Sequence, residues 1–215
     1  MGRWAARSFS LTRKVFIQLR RPEPARIIHR QREPGGHRVD GDVAIDSRAF
    51  LLDMMKTSFH LYTFGYEGLD LESFIARLHR AGVRTVVDVR ELPLSRKRGF
   101  SKTSFSAALA ESGIAYLHAP TLGCPKTVRD QYKRDGSWAR YTSGFMRHVA
   151  SQEAAVAELA KLAKATPTCL VCFEADFNYC HRTFVARAAH AAGAPSVIHL
   201  DARTACSDSG LRAAA

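Results

Sequence analysis

The sequence predicts an α/β domain with a roughly five-stranded, mostly parallel sheet flanked by helices in a Rossmann-like, three-layer arrangement. Three observations lead there. Short apolar runs alternate with segments whose apolar residues recur at helical spacing. The stretch TCLVCFE, residues 168–174, is apolar on both faces, as a central parallel strand should be. Many polar residues fall where strands end, and open α/β sheets bind ligands at their carboxyl edge.

In chain order, FHLYTFGY reads as the first strand, and Asp70 is the expected N-cap of the helix after it. Leu71, Phe74, Ile75 and Leu78 then recur at i, i+3, i+4, i+7, and Gly82 ends that helix. RTVVDVR is a second strand. TSFSAALAESG is a short helix with Phe105 and Leu109 on one side, and IAYLHA is a third strand. Residues 125–150 read as an irregular or partly helical insertion over one end of the sheet. Ser151 is the expected start of a helix carrying Val156, Leu159 and Leu162. TCLVCFE follows as the fourth strand, residues 180–192 as a helix closed by Gly193, and SVIHL as the fifth strand.

The chain has 215 residues, 46% hydrophobic, enough for one such domain and a tail. Residues 1–53 hold 11 basic and 6 acidic residues, with Arg, Pro and Gly but no sustained periodicity. They read as a disordered basic extension. Their first twenty residues are Arg-rich and acid-free, which mimics a transit peptide. Met54 and Met55 stand just before the first strand, so the native start is expected there. The domain is then 54–203, and 204–215 is expected to be a flexible tail. No apolar run reaches membrane-spanning length. Five cysteines, an odd number, and the lack of a recognisable signal peptide point to a reducing cytoplasm.

The net charge is +12, from 32 basic and 20 acidic residues. The expected partners are therefore nucleic acid or a phosphorylated small molecule, unless the basic surface is merely solvated. The rim groups are Tyr66, Glu67, Asp88, Arg90, His118, Glu174, His199 and Asp201, joined by Cys180, His181 and Arg182 at the start of the last helix. The richest stretch is CFEADFNYCHR, residues 172–182. Cys169 and Cys172 have knuckle-like spacing, but three residues apart on a strand they face opposite ways. Cys172, Cys180 and His181 can converge, yet no fourth ligand is evident, so no metal or other cofactor is expected. Cys180 and His181 open a helix with Asn178 as candidate cap, where the dipole and free N–H groups favour a thiolate or a bound anion. Cys180 reads either as a nucleophile or as a structural cysteine. The loop after Asp88 carries Arg90, Arg96, Lys97, Arg98 and Lys102 against one acid, Glu91.

The segments TFGYEGLDLESFIARLHRAGVRTVVDVRELPLSRKRGFS, GIAYLHAPTLG and CFEADFNYCHR resemble the DUF488 family of uncharacterised bacterial and archaeal proteins, over about Tyr62 to Leu200. The resemblance implies an α/β domain and leaves the reaction open. It marks Gly65, Asp88, Arg90, Pro93, Ser95, His118, Gly123, Cys172, Glu174, Cys180, His181 and Arg182. The family commonly has a histidine or similar polar residue after the glycine of its first strand; Tyr66 stands there in this chain. VVDVRE is also similar to the opening strand of rhodanese-like sulfurtransferases, but the glycine-bearing loop around their cysteine is missing here.

These readings combine into an expected enzyme acting by hydrolysis or group transfer on an anionic, nucleotide- or nucleic-acid-related substrate. Asp88 and Glu174 would handle protons, and Cys180 or His181 would react or orient. Arg90 and Arg182 would clamp the anion, with Ser95, Arg96 and His118 completing its binding. The alternatives are a non-catalytic binding module, a sulfurtransferase using Cys180, and a purely structural ion-pair network. No P-loop is present to suggest ATP use.

Overall fold

The computed structural model describes residues 59–210. The expectations for residues 1–53, and for a start at Met54, lie outside them. Six strands form one sheet: β1 (Leu61–Gly65), β2 (Thr85–Asp88), β3 (Ala115–His118), β4 (Thr168–Cys172), β5 (Val197–Leu200) and β6 (Ala205–Ser207). Among the described residues six α-helices accompany them: α1 (Leu71–Arg80), α2 (Lys102–Glu111), α3 (Lys126–Asp135), α4 (Trp138–Ala150), α5 (Glu153–Ala165) and α6 (His181–Ala191).

The strand order is β3-β2-β4-β1-β5-β6, and only the β5–β6 pair is antiparallel. The steps β1 to β2 and β2 to β3 run one way along the sheet; β3 to β4 and β4 to β5 run the other. Right-handed crossovers therefore send α1 and α2 to one face and α3 to α6 to the opposite face. The core divides accordingly. Phe74, Leu78, Phe105 and Leu109 pack with Val86, Cys169 and Val171 on one side. Tyr141, Phe145, Leu159, Ala163, Val185 and Ala189 pack with Val87 and Leu170 on the other. Adjacent residues of β2 and β4 thus serve opposite cores, as strand alternation demands. Every residue of β4 is buried, as the two-sided apolar run predicts.

Local chemistry sets the helix ends. Asp70 accepts from the Ser73 N–H at 2.7 Å, the expected cap. Gly193, at φ 94°, takes the left-handed turn after α6 that a residue with a Cβ resists.

The structure differs from expectation in four places. Residues 125–150 contain two regular helices. In α4, Tyr141, Phe145 and Val149 form the buried stripe, which Gly144 and flanking polar residues obscure. In α3 no residue is buried, so it has no apolar stripe to read. It carries side-chain pairs instead, Lys126 with Asp130 and Gln131 with Asp135. Ser151 caps the end of α4, and α5 starts at Glu153. Cys180, not Asn178, is the N-cap of α6, and Asn178 instead donates to Asp176. The sheet has a sixth strand, placed where a flexible tail was expected. All its side chains are exposed, so it carries no hydrophobic signal. Asp208 just beyond it anchors the segment through two bonds from Arg187, at 2.7 and 2.8 Å.

His199 belongs to this anchoring rather than to the rim. It is buried in β5, bonded to Thr63 Oγ1 at 2.8 Å and stacked on Phe177 with centroids 3.9 Å apart. Burial lowers its pKa to about 4, against the pull of Asp208. The unfolded chain therefore binds more protons than the folded one between about pH 6.5 and pH 4, so stability falls as pH drops through that window. Urea unfolding is expected to show a loss of about 2 kcal/mol between pH 8 and pH 5, and His199→Asn to flatten that slope.

Candidate functional site

Gly65 ends β1 opposite Cys172, the last residue of β4. A Cβ at position 65 would lie 1.7 Å from the Glu174 carbonyl oxygen. Only glycine lets the two chains approach this closely. Pairing then continues past the strand ends, through Tyr66 N–H to Cys172 O at 3.2 Å and Glu67 N–H to Phe173 O at 2.9 Å. The Arg182 guanidinium holds the same loop, donating to the carbonyls of Glu174 and Ala175. Glu174 is thereby fixed over the carboxyl end of β4. The loop after β4 passes to one face of the sheet, whereas those after its neighbours β1 and β2 pass to the other. Such a reversal opens a crevice in α/β sheets.

Two polar nodes occupy this rim. The first is a buried ion pair. Arg90 donates from Nε to Asp88 Oδ1 at 2.8 Å and from Nη2 to Asp88 Oδ2 at 2.6 Å. Its Nη1 donates to the Tyr66 hydroxyl at 2.7 Å and to Phe100 O at 2.9 Å. Tyr116 donates to Asp88 Oδ2 at 2.7 Å. Burial, then the Asp88 charge, raises the Tyr116 pKa far above that of a free phenol. Tyr66 thus fills the departing family position with a hydroxyl that serves the guanidinium. The expected anion clamp is not formed in this geometry, because the guanidiniums of Arg90 and Arg182 are engaged inside the fold. Arg182 Nε is buried and has no partner.

The second node brings together Cys172, Glu174, Cys180 and His181. Their ligand atoms all lie within 4.8 Å of one another. Both thiols donate to Glu174 Oε2, Cys172 at 2.8 Å and Cys180 at 3.1 Å. Cys172 Sγ is 3.6 Å from His181 Nδ1, and His181 Nε2 is 3.0 Å from Val89 O. Phe145 packs edge-on against the imidazole. Both cysteines and His181 are buried, and Glu174 is half-buried. Burial, then the Cys180 charge, raises the Glu174 pKa. Burial, with Cys180 as neighbour, also raises the Cys172 thiol. Burial pushes Cys180 up too, but hydrogen bonds from Cys172 and His181 and the charge of Arg182 outweigh it and bring this thiol well down.

The remaining predicted residues frame these nodes. His118 bridges from Arg90 O at 2.9 Å to Lys102 Nζ at 3.1 Å. Ser95 shapes the basic loop, accepting from Lys97 N–H at 3.1 Å and exchanging two bonds with Ser101. Arg96 and Arg98 are exposed on that loop, and Lys102 is exposed at the first position of α2. Asp201 turns the chain toward β6 by accepting from the N–H groups of Arg203 and Thr204. The sequence reading brings Cys172 together with Cys180 and His181 but does not join Glu174 to them. The available signal was the position of Glu174 two residues after Cys172, which puts both on one side of an extended chain.

A family model described as "Domain of unknown function DUF488" matches residues 70–189, more than half of the chain. The chain belongs to this family. Both nodes fall within the DUF488 match, except for Tyr66. Comparison with curated proteins and with solved structures returned no match.

Breaking the Asp88–Arg90 pair leaves a buried unpaired charge, which costs about 3–5 kcal/mol. Urea unfolding of Asp88→Ala is expected to show a loss of that size, and Asp88→Leu with Arg90→Met together to recover most of it. A single variant as stable as the wild type would remove the structural role.

Proposed function

We propose that this DUF488 protein is an enzyme that carries out hydrolysis or group transfer on an anionic, nucleotide-related substrate at the carboxyl rim of its sheet. The observation that carries this reading is the second node: a partly buried carboxylate held by two buried thiols and set beside a buried imidazole. Ordinary cores avoid so dense a polar group unless it has a task. In this reading Glu174 is the proton-handling group, since it is the one member within reach of solvent. Cys180 and His181 form the reactive and orienting pair behind it.

The surface around the node supports an anionic substrate with a flat, apolar part. Phe173 and Tyr179, 44% and 62% exposed, stand on the loop after β4. Leu92 and Leu94, 61% and 78% exposed, stand on the loop after the adjacent β2. Aromatic side chains left bare at a rim provide stacking surface for a base. Arg96 and Arg98, on the loop after β2, and Lys102, which opens α2, supply exposed positive charge. Asp88, Arg90 and Arg182 act in this reading as the frame that holds the rim.

The test is a turnover screen of the full chain on nucleoside phosphates, phosphate diesters and thiosulfate with cyanide as sulfur acceptor, with Glu174→Gln beside the wild type. Turnover is expected to fall by at least about 100-fold in Glu174→Gln, with unchanged thermal unfolding. Equal turnover in the two proteins would overturn the role of Glu174. Binding without turnover would favour the non-catalytic module. Turnover confined to thiosulfate would shift the reading to sulfur transfer through Cys180.

A further inference from the structure

We propose that Cys172, Cys180, His181 and Glu174 bind a single divalent cation of the zinc class. This goes beyond the enzymatic reading, and the chain would hold the ion whether or not it turns over a substrate.

Four donor atoms from four side chains lie within 4.8 Å of one another. Zinc–sulfur and zinc–nitrogen bonds of about 2.3 and 2.05 Å in a tetrahedron put the two donors roughly 3.5 Å apart. Cys172 Sγ and His181 Nδ1 are 3.6 Å apart. The sulfur–oxygen separations of 2.8 and 3.1 Å are shorter than ligand spacing. A small outward movement of Glu174, the one half-exposed member, opens them to ligand spacing.

The orientation of His181 is an independent second observation. Its Nε2 faces the Val89 carbonyl at 3.0 Å. A carbonyl only accepts, so Nε2 carries a proton and Nδ1 is the ring nitrogen that faces the sulfurs. Histidines that ligate metals are held in this way, with the far nitrogen donating to a backbone carbonyl or a carboxylate. The scaffold is rigid on both sides, since Cys172 ends β4 and His181 begins α6.

The donor set selects the ion. Two thiolates and an imidazole favour zinc and exclude the hard cations magnesium and calcium, which prefer all-oxygen shells. Both cysteines bind the ion as thiolates. One divalent ion, two thiolates, one carboxylate and a neutral imidazole then sum to one net negative charge, and the buried Arg182 is the next residue after His181. Three ligands are buried and the fourth is half-exposed. The fourth position can therefore exchange Glu174 for water or substrate, as catalytic zinc sites require.

The experiment uses the full chain, purified under reducing conditions without added metal. Elemental analysis is expected to find about one zinc per chain. After chelation, cobalt(II) titration is expected to produce a thiolate-to-metal charge-transfer band. Cys172→Ser and Cys180→Ser should each reduce that band and weaken zinc binding by at least about 10-fold. Cys206→Ser, at an exposed cysteine outside the node, should change neither. If the cysteine variants fail to fold, Glu174→Gln takes their place. It should weaken zinc while keeping the cobalt–thiolate band. A folded, reduced wild type that neither contains zinc nor develops the band overturns the proposal. So does zinc affinity unchanged in Cys172→Ser and Cys180→Ser. Bound zinc with no turnover leaves the metal site standing and counts against the enzyme. Turnover that depends on Glu174 in a chain without metal does the reverse.

Discussion

The close approach of β1 to the loop after β4 is the constraint on which the rim depends. It exists because residue 65 has no side chain. With the two backbones in contact, the loop bonds to Tyr66 and Glu67 on one side and to Arg182 on the other. The Glu174 carboxylate can then only sit above the end of the central strand. Any side chain at 65 must push the loop outward, and Glu174 would leave the two thiols. A position that touches no substrate in the proposed mechanism therefore sets the geometry of those that do.

The fold was legible because its signals are local and redundant. The two-sided apolar run of β4 and the Phe74–Leu78 spacing of α1 each dictate one element, and the alternation of elements dictates a parallel sheet. What escaped had no hydrophobic signature. Helix α3 has no fully buried residue; Val128 packs partly buried on the core and Tyr132 lies against Trp138 and Tyr141, too few contacts to read as a stripe. Strand β6 is an exposed edge of three residues, recognisable only once Asp208 is seen to meet Arg187.

The site was half legible. Asp88, Arg90, Glu174, Cys180, His181 and Arg182 do gather at the carboxyl rim, as strand-end positions predict. Their partners could not be read from spacing. The Asp88–Arg90 pair is two residues apart, yet its satisfaction depends on Tyr66 and Tyr116, which only the assembled sheet brings near. That difference separates an open clamp from a closed buried ion pair. The search for a fourth metal ligand overlooked Glu174, because a carboxylate at a strand end reads more readily as an acid or base. His199 reads as a rim residue by position but sits within β5, where burial keeps it neutral.

The two nodes differ in how far apart their members lie along the chain. Tyr66, Asp88, Arg90 and Tyr116 span some fifty residues, so that node closes only when the sheet has formed. Cys172, Glu174, Cys180 and His181 lie within ten. Closing so short a loop costs little entropy, and the unfolded chain keeps the four groups within reach of one another. A cation with affinity for them would bind the unfolded ensemble as well as the native state. Its contribution to stability is then smaller than its native-state affinity implies, because only the difference between the two affinities counts. The ten-residue segment would also capture its ion early, before the distant ion pair locks the sheet around it.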